Sequence, residues 1–198
     1  MSATELEATE PGAIHLVDML AWAQRTGIDL LVEIKEPDAA GAIGAMVAAS
    51  AWRDRIVVGG FHGPALAVVK ASRPDVRTSF MIGSVVAPEE LLHLASAYHV
   101  DGVHLCWEAR ASRPHRLLDA ALIDRLRRAR LAVTLWHEER EDELRVLAAL
   151  EPDAICTNTP AVLRRIVDAH RALSGAPRSG SGGRVEQEIP IQEHHEKA

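Results

Sequence analysis

Two opposite charges stand two residues apart in an apolar, strand-forming run of the sequence, LVEIK at residues 31–35. Side chains alternate along a strand, so Glu33 and Lys35 are expected on one face and the apolar residues beside them on the other. A buried parallel strand is normally apolar throughout, so a carboxylate next to an ammonium group at its carboxyl end needs an explanation. The pair indicates either a polar site, or an ion pair that plugs a barrel mouth or lies on an edge strand in solvent.

Other polar and aromatic side chains follow the ends of later predicted strands. They are Phe61 and His62, Ser84, Trp107 and Glu108, Trp136 and His137, and Thr157, Asn158 and Thr159. In parallel α/β folds the loops at the carboxyl ends of the strands build the site, because the strands fix them and helix amino termini point there. A doubly wound sheet collects its ligands mostly at one switch point, so candidates after all strands favour a closed barrel.

The elements that must position these residues alternate regularly along the chain. Helical spacing of apolar residues predicts helices over 14–25, 37–51, 64–71, 88–98, 117–130, 141–150 and 160–173. Short apolar runs predict strands over 30–34, 56–58, 76–82, 102–106, 131–135 and 154–156. Strands separated by helices of this length predict βαβ units and a parallel sheet.

Length and composition predict one folded domain. The chain has 198 residues, of which 47% are hydrophobic and 25% charged. Residues 174–183 are rich in Gly and Ser, and the remainder is polar, so we expect a flexible amino terminus over 1–13, a barrel over 14–173 and a disordered tail over 174–198. Cys106 and Cys156 form neither a metal-binding CxxC pair nor a disulfide framework, and reduced, buried thiols are expected.

Charge and hydropathy exclude two classes of partner. The net charge is −6 and Lys and Arg are scattered, so no basic surface for a nucleic-acid backbone is expected. No apolar run approaches ~18 residues, so membrane insertion is not expected. The amino terminus is acidic and shows no signal sequence, which predicts a cytoplasmic protein.

Four segments match one known family in order and spacing. LVEIK is similar to a strand with Glu-x-Lys, VVGGFHGPAL to a strand ending in Ser-Phe, VTLWHEEREDELRVLAAL to a Trp-Thr strand with its helix, and PDAICTNTPAVLRRI to a last strand followed by Thr-Asp-x-Pro. Over roughly residues 14–167 the chain therefore resembles the glycerophosphodiester phosphodiesterases. The resemblance implies a TIM-type (β/α) barrel with about six of its eight βα units. It also implies metal-dependent hydrolysis of glycerophosphodiesters, in lipid metabolism, to glycerol 3-phosphate and an alcohol.

The resemblance also assigns roles to individual residues. Glu33 falls on a ligand of the family's divalent metal, for which Mg²⁺ or Ca²⁺ is expected, since hard cations prefer oxygen ligands. Lys35 falls on the phosphate-binding lysine, while Phe61 and Trp136 fall on aromatic residues of the substrate pocket. A small phosphodiester is the implied substrate.

Several family motifs are missing. The family begins with a strand ending in His-Arg-Gly, followed by a Glu-x-Asp metal pair and a catalytic His-Asp. None of these segments occurs before Leu30, and no His-Asp dipeptide occurs anywhere. Gly60, His137 and Asn158 replace the family's serine, threonine and aspartate. Three readings stay open: a phosphodiesterase, a catalytically inactive phosphate-ester-binding or scaffold protein with a degenerate barrel, and an unrelated barrel.

Histidines offer replacement acid or base groups, because an unperturbed imidazole titrates near neutral pH. His62 and His137, both after strand ends, are the candidates, whereas His104 is expected to be a buried, hydrogen-bonded structural histidine. The missing start fits either an incomplete reading of a longer gene or a truncated paralogue. An open barrel would expose two strand edges, so a homo-oligomer paired through those edges is expected.

Overall fold

Six strands, each followed by a helix, form the part of the chain that the computed structural model describes, residues 12–106, 113–118 and 120–174. The strands are β1 Leu30–Glu33, β2 Ile56–Gly60, β3 Arg77–Ile82, β4 Gly102–Leu105, β5 Ala132–Leu135 and β6 Ala154–Ile155. The helices are α1 Leu16–Thr26, α2 Ala40–Ala49, α3 Gly63–Ser72, α4 Pro88–Ala97, α5 Ala120–Arg128, α6 Glu141–Ala149 and α7 Pro160–Ser174. Short 3-10 helices span Pro37–Ala39, Arg53–Arg55 and Pro114–Leu117.

The six strands are parallel and lie in the order β1-β2-β3-β4-β5-β6, so every strand pairs with its neighbours in sequence. Right-handed crossovers through helices produce this order, and the twist of the strands curls the sheet into a half-barrel. This confirms the predicted incomplete TIM-type barrel.

The two faces of the sheet differ in chemistry. The face toward the helices is apolar and holds the main core, which includes Ile34, Ile56, Val58, Phe80, Ile82, Val103, Leu105, Val133 and Leu135. Burial of each large side chain contributes roughly 1.5–3 kcal/mol, so this face supplies most of the stability. Side chains alternate between the two faces along each strand. The concave face therefore holds Glu33, Gly59, Ser79, Met81, His104, Thr134 and the side chain of Trp136 just after β5.

The helices approach each other closely where small residues allow it. Gly44 in α2 faces Val69 in α3, and a Cβ atom added to Gly44 would lie 3.2 Å from Val69 Cγ1. The glycine that weakens α2 as an isolated helix therefore permits its packing against α3.

The helix predicted over 117–130 is present with shorter bounds, Ala120–Arg128. The structure has the 3-10 helix Pro114–Leu117, then extended backbone at Leu118 (φ −124°, ψ 129°), and α5 begins at Ala120. Leu118 is buried in the core, and its extended backbone separates the two helical segments. The other predicted elements agree with the structure to within two residues at nearly every end.

Aspartates clasp the amino ends of two strand pairs in the same way. The backbone amide of Asp101 donates to the Thr78 carbonyl at 2.9 Å, and Asp101 Oδ2 accepts from the Thr78 amide at 2.7 Å. Asp153 and Val133 make the same two contacts, at 2.9 and 2.7 Å. At the first clasp, Lys70 Nζ also lies 3.0 Å from Asp101 Oδ2. These contacts lie at the face of the half-barrel that serves stability in barrel folds.

Predicted features at the chain ends lie outside the described residues. These include the flexible start up to residue 11 and the disordered tail from residue 175 onward. Within the described part of the chain, no helix has the length and apolar character needed to cross a membrane.

Candidate functional site

The charged pair lies at the carboxyl end of β1, and its two side chains meet. Lys35 Nζ donates to Glu33 Oε1 at 2.7 Å. The Lys35 side chain is 76% exposed and the Glu33 side chain 26% exposed, so the pair lies at the rim with the carboxylate set deeper. The structure shows a solvent-accessible ion pair on β1, at the mouth of the half-barrel, and both readings from the sequence stay open.

The two aromatic residues expected in a substrate pocket lie side by side. Phe61 follows β2 and Trp136 follows β5, and their ring centroids are 6.3 Å apart with planes tilted by 58°. Both side chains are exposed. Large exposed aromatic rings at the carboxyl ends of parallel strands provide an apolar contact surface for a ligand.

His104 lies on the concave face, beneath this aromatic pair. Its side chain is 1% exposed, its ring packs edge-on against Trp136 at 6.1 Å, and its Nε2 lies 3.7 Å from Cys156 Sγ. Among the described residues, no group hydrogen-bonds to its Nδ1. Burial lowers the pKa of His104 to about 4, against the opposing effect of the Glu33 charge. The histidine is buried as predicted, but among the described residues the side chain nearest to its ring nitrogens is the Cys156 thiol.

The thiol beside His104 is not an activated nucleophile. Burial raises the pKa of Cys156, so the pair is a neutral thiol next to a neutral imidazole at pH 7. No disulfide joins the two cysteines, and Cys106 is buried as predicted, whereas Cys156 is partly exposed.

The two histidines that the sequence indicated as proton-transfer candidates have different surroundings. His62 Nδ1 accepts from the Ala65 amide at 3.3 Å and caps the amino end of α3. This is a structural role that satisfies one of the free amides of the helix. His137 is partly buried next to Trp136, and its Nε2 lies 3.7 Å from Glu139 Oε1. The catalytic role of either histidine stays a prediction.

The loop after β5 holds a buried carboxylate that sequence reasoning missed. Glu138 accepts hydrogen bonds from the backbone amides of Glu139 and Arg140 and from Arg140 Nε, at 2.8–2.9 Å. Burial raises the pKa of Glu138, but these hydrogen bonds outweigh it and hold that pKa below its ordinary value. A cavity of about 20 Å³ lies beside this loop and includes Trp136, His137 and Glu138 in its lining. The run of charged residues from 138 to 143 was the sequence signal that could have indicated this carboxylate.

Of the remaining candidates after strand ends, Ser84 is exposed, while Thr157, Asn158 and Thr159 make structural contacts. Thr157 Oγ1 accepts from the Thr159 amide at 3.1 Å. The Thr159 carbonyl accepts from the Val162 and Leu163 amides in the first turn of α7. This turn therefore opens the last helix. Asn158 Nδ2 donates to Glu139 Oε1. Trp107 and Glu108 lie outside the described residues.

The described residues do not fit the divalent metal that the sequence resemblance implies. No group of three or more His, Cys, Asp and Glu side chains in the described ranges could hold a metal ion. Ca²⁺ takes six to eight oxygen ligands, and Mg²⁺ requires an octahedral set. Glu33 offers one carboxylate, and an ammonium group already lies 2.7 Å from one of its oxygens.

Solved structures share this architecture. A glycerophosphodiester phosphodiesterase from Parabacteroides distasonis superposes with a TM-score of 0.62 at 16% identity, covering 78% of this chain and 64% of that one. A phosphodiesterase from Oleispira antarctica, in complex with the product sn-glycerol-3-phosphate, gives 0.60 at 14% identity, covering 77% and 60%. A glycerophosphodiester phosphodiesterase from Agrobacterium tumefaciens gives 0.56 at 15%, covering 77% and 62%.

This chain has the glycerophosphodiester phosphodiesterase fold. It spans less than two thirds of the length of these three phosphodiesterases. The resemblance seen in the four sequence segments, and its partial coverage, are confirmed at the level of the fold. No family model and no curated protein matches the sequence.

Proposed function

We propose that this protein binds a small phosphate ester at the rim of its phosphodiesterase-type half-barrel. The observation that carries the proposal is the exposed Lys35 ammonium group at the carboxyl end of β1. Parallel barrels bind their ligands at this end of the strands, and lysine binds phosphate as a point charge. The Oleispira antarctica phosphodiesterase with this fold holds sn-glycerol-3-phosphate, which has the same chemistry.

The aromatic pair gives the ligand its second contact. Phe61 and Trp136 present exposed rings, whereas most other large apolar residues of the sheet are buried. A ligand with an anionic phosphate and an organic group would use Lys35 for the first and these rings for the second. This combination describes a glycerophosphodiester or its product better than it describes inorganic phosphate.

Calorimetric titration with sn-glycerol 3-phosphate tests this proposal. Wild-type protein is expected to bind, and Lys35→Ala is expected to weaken binding about tenfold, because the phosphate loses a charge-assisted contact. Arg128→Ala is the matched control, since it removes an exposed positive charge at the far end of α5. Absence of binding to the wild type, or equal effects of the two variants, would contradict the proposal.

Metal-dependent hydrolysis of glycerophosphodiesters to glycerol 3-phosphate and an alcohol is the second candidate, with a role in lipid metabolism. The fold favours it, together with the position of Glu33 at the strand end where the sequence resemblance places a metal ligand. The same protein, supplied with Mg²⁺ or Ca²⁺ and glycerophosphocholine, would release glycerol 3-phosphate, and Glu33→Gln would abolish the release. Binding without release selects the phosphate-ester-binding function.

A further inference from the structure

The carboxylate of Glu33 is engaged by a cation of the chain itself. Its Oε1 lies 2.7 Å from Lys35 Nζ, at the distance of a short charge-assisted hydrogen bond. A divalent cation at the same oxygen would lie against this ammonium group and be repelled by it. The contact therefore occupies the position from which Glu33 would ligate a metal.

Among the described strand residues around Glu33, no second carboxylate is available to a hard cation. The residues in register with it across the sheet are Gly59, Ser79, Gly102 and Ala132. In the next row toward the rim stand Met81, His104, Thr134 and Ala154. Glu33 is the one carboxylate in these two rows of the described strands. A single carboxylate with hydroxyl neighbours falls short of the oxygen set of Ca²⁺ or Mg²⁺.

We propose that Glu33 is the internal counter-ion of Lys35 and competes with the ligand phosphate for its ammonium group. The inference rests on the proposed phosphate-ester binding at Lys35. Glu33 holds the flexible lysine side chain at the rim and neutralises it while the site is empty. An arriving phosphate displaces the carboxylate from the ammonium group, so binding at this site proceeds without a divalent metal.

The two roles of Glu33 predict opposite signs for one substitution. If Glu33 competes with phosphate, Glu33→Gln removes the competitor, and the affinity for sn-glycerol 3-phosphate rises. Exposed ion pairs contribute at most about 1 kcal/mol, so the expected gain is about two- to fivefold at low salt. The gain shrinks at high ionic strength, where the charges are screened. If Glu33 is a metal ligand, the same substitution lowers the affinity in the presence of metal.

The experiment is a calorimetric titration of the full chain with sn-glycerol 3-phosphate, in EDTA and in Ca²⁺, at low and high salt. Glu36→Gln is the matched control, because Glu36 is an exposed carboxylate three residues along the rim and its loss changes the net charge equally. Glu33→Ser, which also removes the charge, provides a second variant, and thermal unfolding verifies that each variant is folded. A direct Ca²⁺ titration of the wild type is expected to show no binding heat.

Tighter binding by both Glu33 variants in EDTA, with a smaller change for Glu36→Gln, supports the counter-ion role. Weaker binding by the Glu33 variants overturns it, as does a Ca²⁺-dependent gain in wild-type affinity that these variants lose. Both of those results leave the proposed phosphate-ester binding intact. If neither the wild type nor the variants bind the probe in EDTA or in Ca²⁺, the proposed function itself is rejected and the counter-ion role falls with it.

Discussion

The imidazole of His104 is a weakly satisfied polar group that is buried on the concave face of the half-barrel. Its Nδ1 has no hydrogen-bond partner among the described residues, and its Nε2 faces a thiol. A buried polar group without a good partner costs about 1–3 kcal/mol, and charging it would cost more. His104 is therefore held neutral, and its protonation couples to unfolding.

The stability of the protein is expected to fall as the pH drops below neutrality. The folded-state pKa of His104 is about 4, below the ordinary histidine value of 6.5, so the unfolded state binds the proton first. The contribution of His104 to the free energy of unfolding is fully present above pH ~6.5. It is lost as the pH falls toward about 4, by up to ~3 kcal/mol. Urea unfolding at pH about 7 and about 4.5 measures the loss, which His104→Leu is expected to reduce.

The exposed His93 provides the control for that measurement. His93→Leu removes a histidine from α4 without removing a buried one, so its pH dependence should match that of the wild type. An unchanged pH dependence in His104→Leu would show that the acid loss arises elsewhere.

At this scale, alternation along a strand was enough to predict that Glu33 and Lys35 meet, because both are fixed by one short segment of backbone. The roles of the histidines were harder to predict. A ring nitrogen of His62 caps a helix. A ring nitrogen of His104 contacts the thiol of Cys156, which is 52 residues away in the sequence. Hydrogen-bond partners of this kind are set by tertiary packing, which one sequence does not reveal.

Among the secondary-structure elements, the aspartate clasps join the amino ends of neighbouring strands. Asp101 bridges the Thr78 amide and the Lys70 ammonium group, whose side chain is largely buried. Asp153 bridges only the Val133 backbone among the described residues. The two clasps differ because Asp101 also accepts from the Lys70 ammonium group at 3.0 Å and from the Thr78 hydroxyl at 3.3 Å.

Asp101→Ala is expected to destabilise the protein by about 2 kcal/mol and Asp153→Ala by about 1 kcal/mol. The first substitution leaves the Thr78 amide and a mostly buried ammonium group with fewer partners, whereas the second leaves one amide. Chemical denaturation of both variants beside the wild type gives the difference. Equal losses would show that neither the lysine nor the Thr78 hydroxyl adds stability to the first clasp.

The helices and strands were predictable because the helical and strand periodicities alternate clearly along the sequence. Pro and Gly residues marked most of their ends. The helix predicted over 117–130 begins three residues later than predicted, because its apolar pattern continues through Leu118. Leu118 has an extended backbone and its side chain is buried in the core. This tertiary packing outweighs the local preference of the sequence for helix.

At the scale of the whole molecule, β1 and β6 end the described sheet without a further strand beside them. The Ile34 amide donates to Gly59 at 2.8 Å, so the alternating amides of Leu31 and Glu33 point away from β2. Free edges of this kind pair with other strands. We propose that the protein forms a homo-oligomer through its open edges.

Sedimentation velocity over a range of concentrations is expected to show a concentration-dependent dimer. Leu31→Pro removes an outward-facing amide without breaking the pairing of β1 with β2, so it should shift the equilibrium to monomer. Leu31→Ser retains the amide and serves as the control for loss of the leucine side chain. A wild-type protein that sediments as a monomer at every concentration would contradict edge pairing.

The fold class was predictable because alternating elements allow few topologies, and right-handed crossovers remove most of those. Which side chains share the concave face followed only from the register of all six strands. That register depends on long-range pairing and could not be read from one segment.

The order of the strands in the sheet is also their order in the chain. A ribosome makes the chain from its amino end, so each strand after β1 emerges when the strand it pairs with has already been made. Folding can therefore follow synthesis one βα unit at a time. Until the next unit arrives, the newest strand is always the unprotected one.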